Sequence, residues 1–232
     1  MKNELADIAA FTAKLLQTRR RHGTKAVRVD APVLARLAAL ARPPGTEKRL
    51  ERFGALRREA FQCVKCNLHK TRTTVVFGEG DPEAQLLFVG EAPGRDEDIQ
   101  GRPFVGRAGQ LLTRIIESIG LTRKEVYIAN ILKCRPPKNR NPLPEEIACC
   151  LPYLTGQIET IQPRIICALG AFAAQTLIGT SEGITKLRGT FHDYHGIKLM
   201  PTFHPAACLR NPSTKKYVWE DVKKIRDEYS VR

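Results

Sequence analysis

Four short runs rich in branched and apolar residues, each leading straight into glycine, proline or polar residues, constrain this fold more than any other feature of the chain. The runs cover 85–89, 126–132, 164–169 and 198–203. Apolar residues run through them almost without alternation, the pattern of strands buried on both faces. Helical spacing lies between and after them. In 108–119, Leu111, Leu112, Ile115, Ile116 and Ile119 share one side, with Gly120 as the stop. Further helices are expected over 145–161, 171–178 and 217–229. Strands alternating with helices predict an α/β protein: a three-layer α/β/α sandwich around a central, mostly parallel, four-stranded sheet.

The segments after the strands carry the polar residues. Gly90-Glu91-Ala92-Pro93-Gly94 follows the first run, Asn130 lies near the end of the second, Gly170 follows the third and His204-Pro205 follows the fourth. Ligands of open α/β sheets bind outside the carboxyl ends of the strands. One crevice is therefore expected to receive Glu91, Asn130 and His204, far apart as they are in sequence. Asp96 and Asp98, in the charged stretch beyond Gly94, read as solvated.

The chain carries a formal net charge of +14, which points to a polyanionic partner, most often nucleic acid. The first fifty residues hold 11 Lys/Arg against 4 Asp/Glu. Leu5, Ile8, Thr12, Leu15 and Leu16 have helical spacing there, and Pro32 can open a second helix that Pro43-Pro44-Gly45 would end. Residues 1–55 are expected to form a basic helical extension that touches phosphate, stays solvated or docks a protein partner, and residues 56–232 the main domain. No apolar run approaches the ~20 residues of a membrane span. Glu4 and Asp7 interrupt the start where a secretion signal would be apolar. A cytoplasmic monomer is expected.

Seven cysteines in such a compartment argue for metal ligation or buried thiols rather than disulfides. Cys63 and Cys66 form a CxxC, Cys134 follows the second strand, and Cys149-Cys150 opens a helix. Thiolates from three such segments can enclose zinc or an iron–sulfur cluster and would clamp those segments together. Local sequence does not separate Cys149 from Cys150. Cys167, inside an apolar strand, reads as a small buried hydrophobe.

Taken together, CVKCNLHKTR, VGEAPGRDEDIQGRPFVG, NILKCRPPKNRNPLPEE and HPAACLRNP resemble the family 4 uracil-DNA glycosylases, the iron–sulfur type. The resemblance starts near Phe61 and runs to the C-terminus, leaving the first fifty residues uncovered. It implies a [4Fe–4S] cluster on Cys63, Cys66, Cys134 and Cys150, and excision of uracil from DNA. It implies catalytic roles for Glu91, Glu97 and His204, and a uracil pocket formed by Ala92, Phe104 and Asn130. Leu209, Arg210 and Lys215 would contact DNA. Where the family commonly reads HPAALLR this chain has Cys208, so Cys208, Leu209 and Arg210 all stand as candidates to enter the DNA stack.

Chemistry agrees with those roles. A glycosylase extrudes its nucleotide into a pocket. Asn offers an acceptor and a donor, matching N3–H and O4 of uracil and opposing the reversed pattern of cytosine. A flat Phe stacks on the base, a contact worth roughly 1–3 kcal/mol. A hydrogen bond from His204 to the developing charge on O2 would lower the barrier by roughly 3–4 kcal/mol. Glu91 or Glu97 could orient water and offset positive charge on the sugar. Two rivals remain at this level: a superfamily glycosylase with a different damaged base, and a non-catalytic iron–sulfur module that only grips nucleic acid.

Overall fold

The computed structural model describes residues 45–231, so the two helices expected in the first forty-four residues lie outside the described part. Helix α1 (Thr46–Phe61) runs without a break through position 55, where the basic extension is expected to end. On it, Phe53 meets Phe77 and Tyr127 edge-on, with ring centroids 5.4 and 5.6 Å away.

The sheet has six strands, in the order β1-β3-β2-β4-β6-β5. Its centre is the expected set: β2 (Leu86–Gly90), β3 (Tyr127–Asn130), β4 (Ile165–Leu169) and β6 (Ile197–Thr202). These four pair in parallel, with Gly90 opposite Asn130 and Leu169 opposite Thr202. The expectation of four strands omits two short antiparallel edges, β1 (Glu79–Gly80) and β5 (His192–Tyr194). Neither carries a branched residue, because an edge strand has little apolar surface to bury.

Alternation along the central strands splits the core in two. Leu87, Val89, Ala129, Ile166 and Ala168 face α1, α4 (Pro144–Ile161) and α5 (Ala171–Ile178), contacting Leu154, Ile158 and Ala174. Leu86, Phe88, Ile128, Ile165 and Cys167 face the opposite way, against Leu112 and Ile116 of α3 (Arg107–Glu117) and Ile225 of α8 (Lys215–Ser230). Helices therefore cover both faces, as the uninterrupted apolar strands require. Short α2 (Arg95–Gln100), α6 (Ile184–Leu187) and α7 (Pro205–Arg210) complete the set. Among the described residues no helix is long and apolar enough to cross a membrane.

Candidate active site and thiol recess

Parallel pairing of β2, β3, β4 and β6 sets their carboxyl ends side by side, and the crevice residues follow from that. Asn130 ends β3 opposite Gly90, and Glu91 is the next residue after Gly90. Asn130 is 2% exposed, and its Oδ1 has no hydrogen-bond partner among the described residues. A buried, unpaired acceptor costs about 1–3 kcal/mol. Such a group calls for a donor, from a water or from a bound ligand.

Phe104 reaches the same place on a tightly held loop. Its φ of +53° lies in the left-handed region, unusual for an aromatic residue. Two networks fix it. Glu97 Oε1 accepts the amides of Val105 and Gly106 at 2.9 and 3.0 Å. On the other side the Arg123 guanidinium donates to the carbonyls of Pro103 and Phe104 at 2.7 and 3.1 Å. Glu79 accepts from both Arg123 and Arg102 and steadies that brace. The strain is thus over-determined by surrounding bonds, the condition under which it persists.

His204 precedes α7 as its N-cap. Its Nδ1 accepts the Ala206 N–H at 3.1 Å, so the ring proton sits on Nε2. Burial, and then the nearby Arg210 guanidinium, lower its pKa to about 4. The imidazole is neutral near pH 7 and presents an Nε2–H donor. Its ring lies 5.6 Å from that of Phe104, tilted by 32°. Glu91 is half-buried, and desolvation raises its pKa. Asn130, Phe104 and His204 therefore converge, with Glu91 at the neighbouring strand end.

The remaining candidates are placed differently. Ala92 packs against the core cluster on the α4 side. Asp98 is buried rather than solvated, because it accepts the amides of Thr73 and Thr74 at 2.9 and 3.4 Å. Cys208 is 1% exposed, enclosed with Leu111, Val218 and Val222. Leu209 is half-buried and Arg210 exposed. Lys215 borders an apolar groove beside Ile115 and Trp219.

A second recess is ringed by Cys63, Cys66, Cys134, Cys149 and Cys150. Arg72 donates to Cys134 Sγ at 3.2 Å, and the Lys133 amide donates to Cys150 Sγ at 3.2 Å. Burial raises the pKa of Cys66, Cys134 and Cys150, the last to about 12. Thiols buried this way ionise readily only beside a cationic centre. Among the described residues no three His, Cys, Asp or Glu side chains close on a position for one metal ion. Soft thiol donors spread around a recess, with N–H donors aimed at two sulfurs, fit a polynuclear iron–sulfur group. Cys149 lines the same recess, so the lining alone does not choose between it and Cys150.

Several residues around these sites are not signalled by the sequence. Arg123, Lys133 and Gln157 act through contacts distant in sequence, and local pattern carries none of them.

Comparison with known proteins agrees with the geometry. The profile of the Uracil DNA glycosylase superfamily matches residues 77–225. The chain is 48% identical over 183 residues to the type-4 uracil-DNA glycosylase of Saccharolobus solfataricus, covering 75% of this chain and 85% of that one. It is 46% identical to the Archaeoglobus fulgidus type-4 enzyme, covering 76% of this chain and 92% of that one. The Thermotoga maritima type-4 enzyme is 50% identical, with 71% and 88% covered. On residues 77–225 and on these near-full-length relatives together, the chain belongs to the uracil-DNA glycosylase superfamily, among its type-4 members.

Proposed function

We infer that this chain hydrolyses the N-glycosidic bond of uracil in DNA and leaves an abasic site, with the flipped base held in the Asn130–Phe104–His204 crevice. The unpaired, buried Oδ1 of Asn130 carries this reading. Uracil N3–H would satisfy that acceptor, while the Asn130 amide donates to O4. Cytosine presents an acceptor at N3 and a donor at N4, so it would meet like against like. Phe104 offers its ring face to the base, and Ala92, next to Glu91 with its side chain on the α4-side core, brings its backbone to the pocket's edge.

As the bond between N1 and C1′ breaks, its electron pair moves to uracil, and negative charge spreads onto O2. The His204 Nε2–H donates to that oxygen; a neutral donor suffices, because the group stabilises charge without transferring a proton. Glu91 aims a water at C1′ and offsets the positive charge on the sugar. The water oxygen bonds to C1′, its proton leaves to Glu91 or solvent, and the uracil anion takes up a proton. Glu97 shares the sequence expectation with Glu91, but its Oε1 is engaged by two loop amides, which favours Glu91 for the water. Leu209, Arg210 and Lys215 meet the DNA strand, with Arg210 beside His204.

Cys63, Cys66, Cys134 and Cys150 would hold a [4Fe–4S] cluster in the thiol recess. When bound it supplies a cationic core that fastens the segments after α1 and β3 to the start of α4. We place the protein in the cytoplasm as a monomer, with residues 1–55 as an appended arm for phosphate or a protein partner.

An oligonucleotide carrying one uracil, incubated with the protein and then treated with alkali, tests the activity. Strand scission at the uracil position is expected; intact strand with normal binding would instead favour a non-catalytic nucleic-acid module. Broad visible absorbance with bound iron is expected for the purified protein, and a colourless protein holding zinc would overturn the cluster.

A further inference from the structure

Lys133 is 2% exposed, yet its ammonium has no carboxylate partner among the described residues. A buried cation is costly unless its donors are used. They are: Nζ donates to the Asn130 carbonyl at 2.8 Å and to Gln157 Oε1 at 2.6 Å, and lies 5.9 Å from the centre of the Phe77 ring. Gln157 is itself fixed, donating to the Phe77 carbonyl at 2.9 Å. The other end of the same residue touches the thiol recess, where its amide donates to Cys150 Sγ at 3.2 Å. One residue therefore reaches both sites.

We propose that Lys133 is a positioning residue that couples the thiol recess to uracil recognition, holding the Asn130 backbone in register through its side chain while its amide holds Cys150. Asn130 ends β3, so beyond it the parallel ladder continues only through the amides of Ile131 and Leu132, which bond to Gly90 and Glu91. The ammonium supplies the added tie on the Asn130 carbonyl. A group held in the recess would fix Cys150, hence the Lys133 backbone, hence the angle at which the Asn130 amide meets a base. The assignment rests on the reading of Asn130 as the uracil-contacting residue.

Lys133→Met keeps the apolar stem and removes the donors. Free uracil, as a product inhibitor, and abasic DNA, as a ligand without a base, separate base recognition from DNA grip. The expected result is bound iron and visible absorbance as in the parent, unchanged affinity for abasic DNA, and inhibition by uracil weakened about ten- to a hundredfold, the scale of hydrogen bonds to a charged group. Uracil inhibition unchanged in K133M, or reduced only in step with abasic-DNA affinity, would overturn the coupling. Should K133M not fold, Gln157→Met decides. It removes one acceptor of the ammonium, and the same selective loss in milder form is expected; unchanged uracil inhibition would overturn the proposal. Asn130→Asp runs alongside. If N130D keeps full preference for uracil over cytosine, the reading of Asn130 fails. If N130D loses it while K133M does not respond, only the role of Lys133 fails.

Discussion

Asn130 Oδ1 and the edge of the Phe104 ring close on one point above Gly90, standing 2.4 and 2.5 Å from where a Cβ would sit on that residue. The proposed reader and the proposed stacking platform are thus about 5 Å apart at most, and the absence of one methyl group lets them meet. Contacts under 3.0 Å to a Cβ force a shift, and both neighbours here are buried. Gly90→Ala is expected to displace Asn130 and Phe104 together. Overpacking of this kind costs about 1–3 kcal/mol, or a melting temperature lower by about 2–4 °C per kcal/mol at this chain length. Uracil excision should fall roughly a hundredfold, since misplacement of about 1 Å costs that much in positioned reactions. A single-turnover assay beside a thermal melt separates the two; equal activity with the lower melt would show that the crevice tolerates the methyl.

Glu97 distinguishes a loop-holding carboxylate from a reacting one. Its Oε1 accepts from Val105 and Gly106, the residues directly after Phe104. Glu97→Gln keeps an oxygen acceptor and loses only the charge, so excision should drop about fivefold or less. Glu97→Ala strips both amides of their acceptor and should lower activity roughly ten- to a hundredfold by freeing the strained Phe104. Equal, severe losses in both variants, read as kcat in single turnover, would assign Glu97 to the chemistry.

His204 makes a prediction about pH. Its folded pKa of about 4 lies below the ordinary 6.5, because burial and Arg210 disfavour the imidazolium. The unfolded chain therefore binds more protons between those values. The contribution to stability is complete above pH 6.5 and is lost as pH falls towards about 4. Ring 15N NMR should show the Nε2–H tautomer at neutral pH with no titration near 6.5. Arg210→Gln should raise the midpoint. Titration of the parent at the ordinary histidine value would remove the neutral-donor account.

How much of this is legible in the sequence depends on whether a feature is local. Leu86–Gly90 and Ile165–Leu169 are buried on both faces, and that burial writes an apolar run that reads directly as strand. Glu79–Gly80 and His192–Tyr194 sit at sheet edges and write nothing comparable. Helix α2, sequence RDEDIQ, lacks an apolar stripe and is invisible to periodicity. Glu91, Asn130 and His204 are legible because each stands at or just beyond the carboxyl end of a strand, and topology brings strand ends together. Arg123 and Lys133 are not. Arg123 works on carbonyls twenty residues away, and Lys133 in a run of basic residues reads as a surface cation until its burial is seen.

The burial of Cys208 bears on a choice that the HPAACLR segment leaves open. It is 1% exposed and enclosed by Leu111, Val218 and Val222, so its side chain supports the seat of α7. Leu209, half-buried on the same short helix, and exposed Arg210 are the accessible candidates of the three. Flipping a base from a duplex costs a few kcal/mol that a side chain filling the gap can offset, whereas a single strand asks for no such filling. Cys208→Ala should therefore lower stability by about 1–2 kcal/mol, the scale of a small core truncation, and leave excision from both substrates within about twofold of the parent. Leu209→Ala, on a side chain only partly packed against that cluster, should lower the melt modestly and reduce excision from duplex DNA about tenfold relative to single-stranded DNA. Paired assays on duplex and single-stranded oligonucleotides, normalised to the melt of each variant, carry the comparison. Selective loss of duplex activity in Cys208→Ala at an unchanged melt would mean that α7 rotates on DNA and delivers Cys208 into the stack.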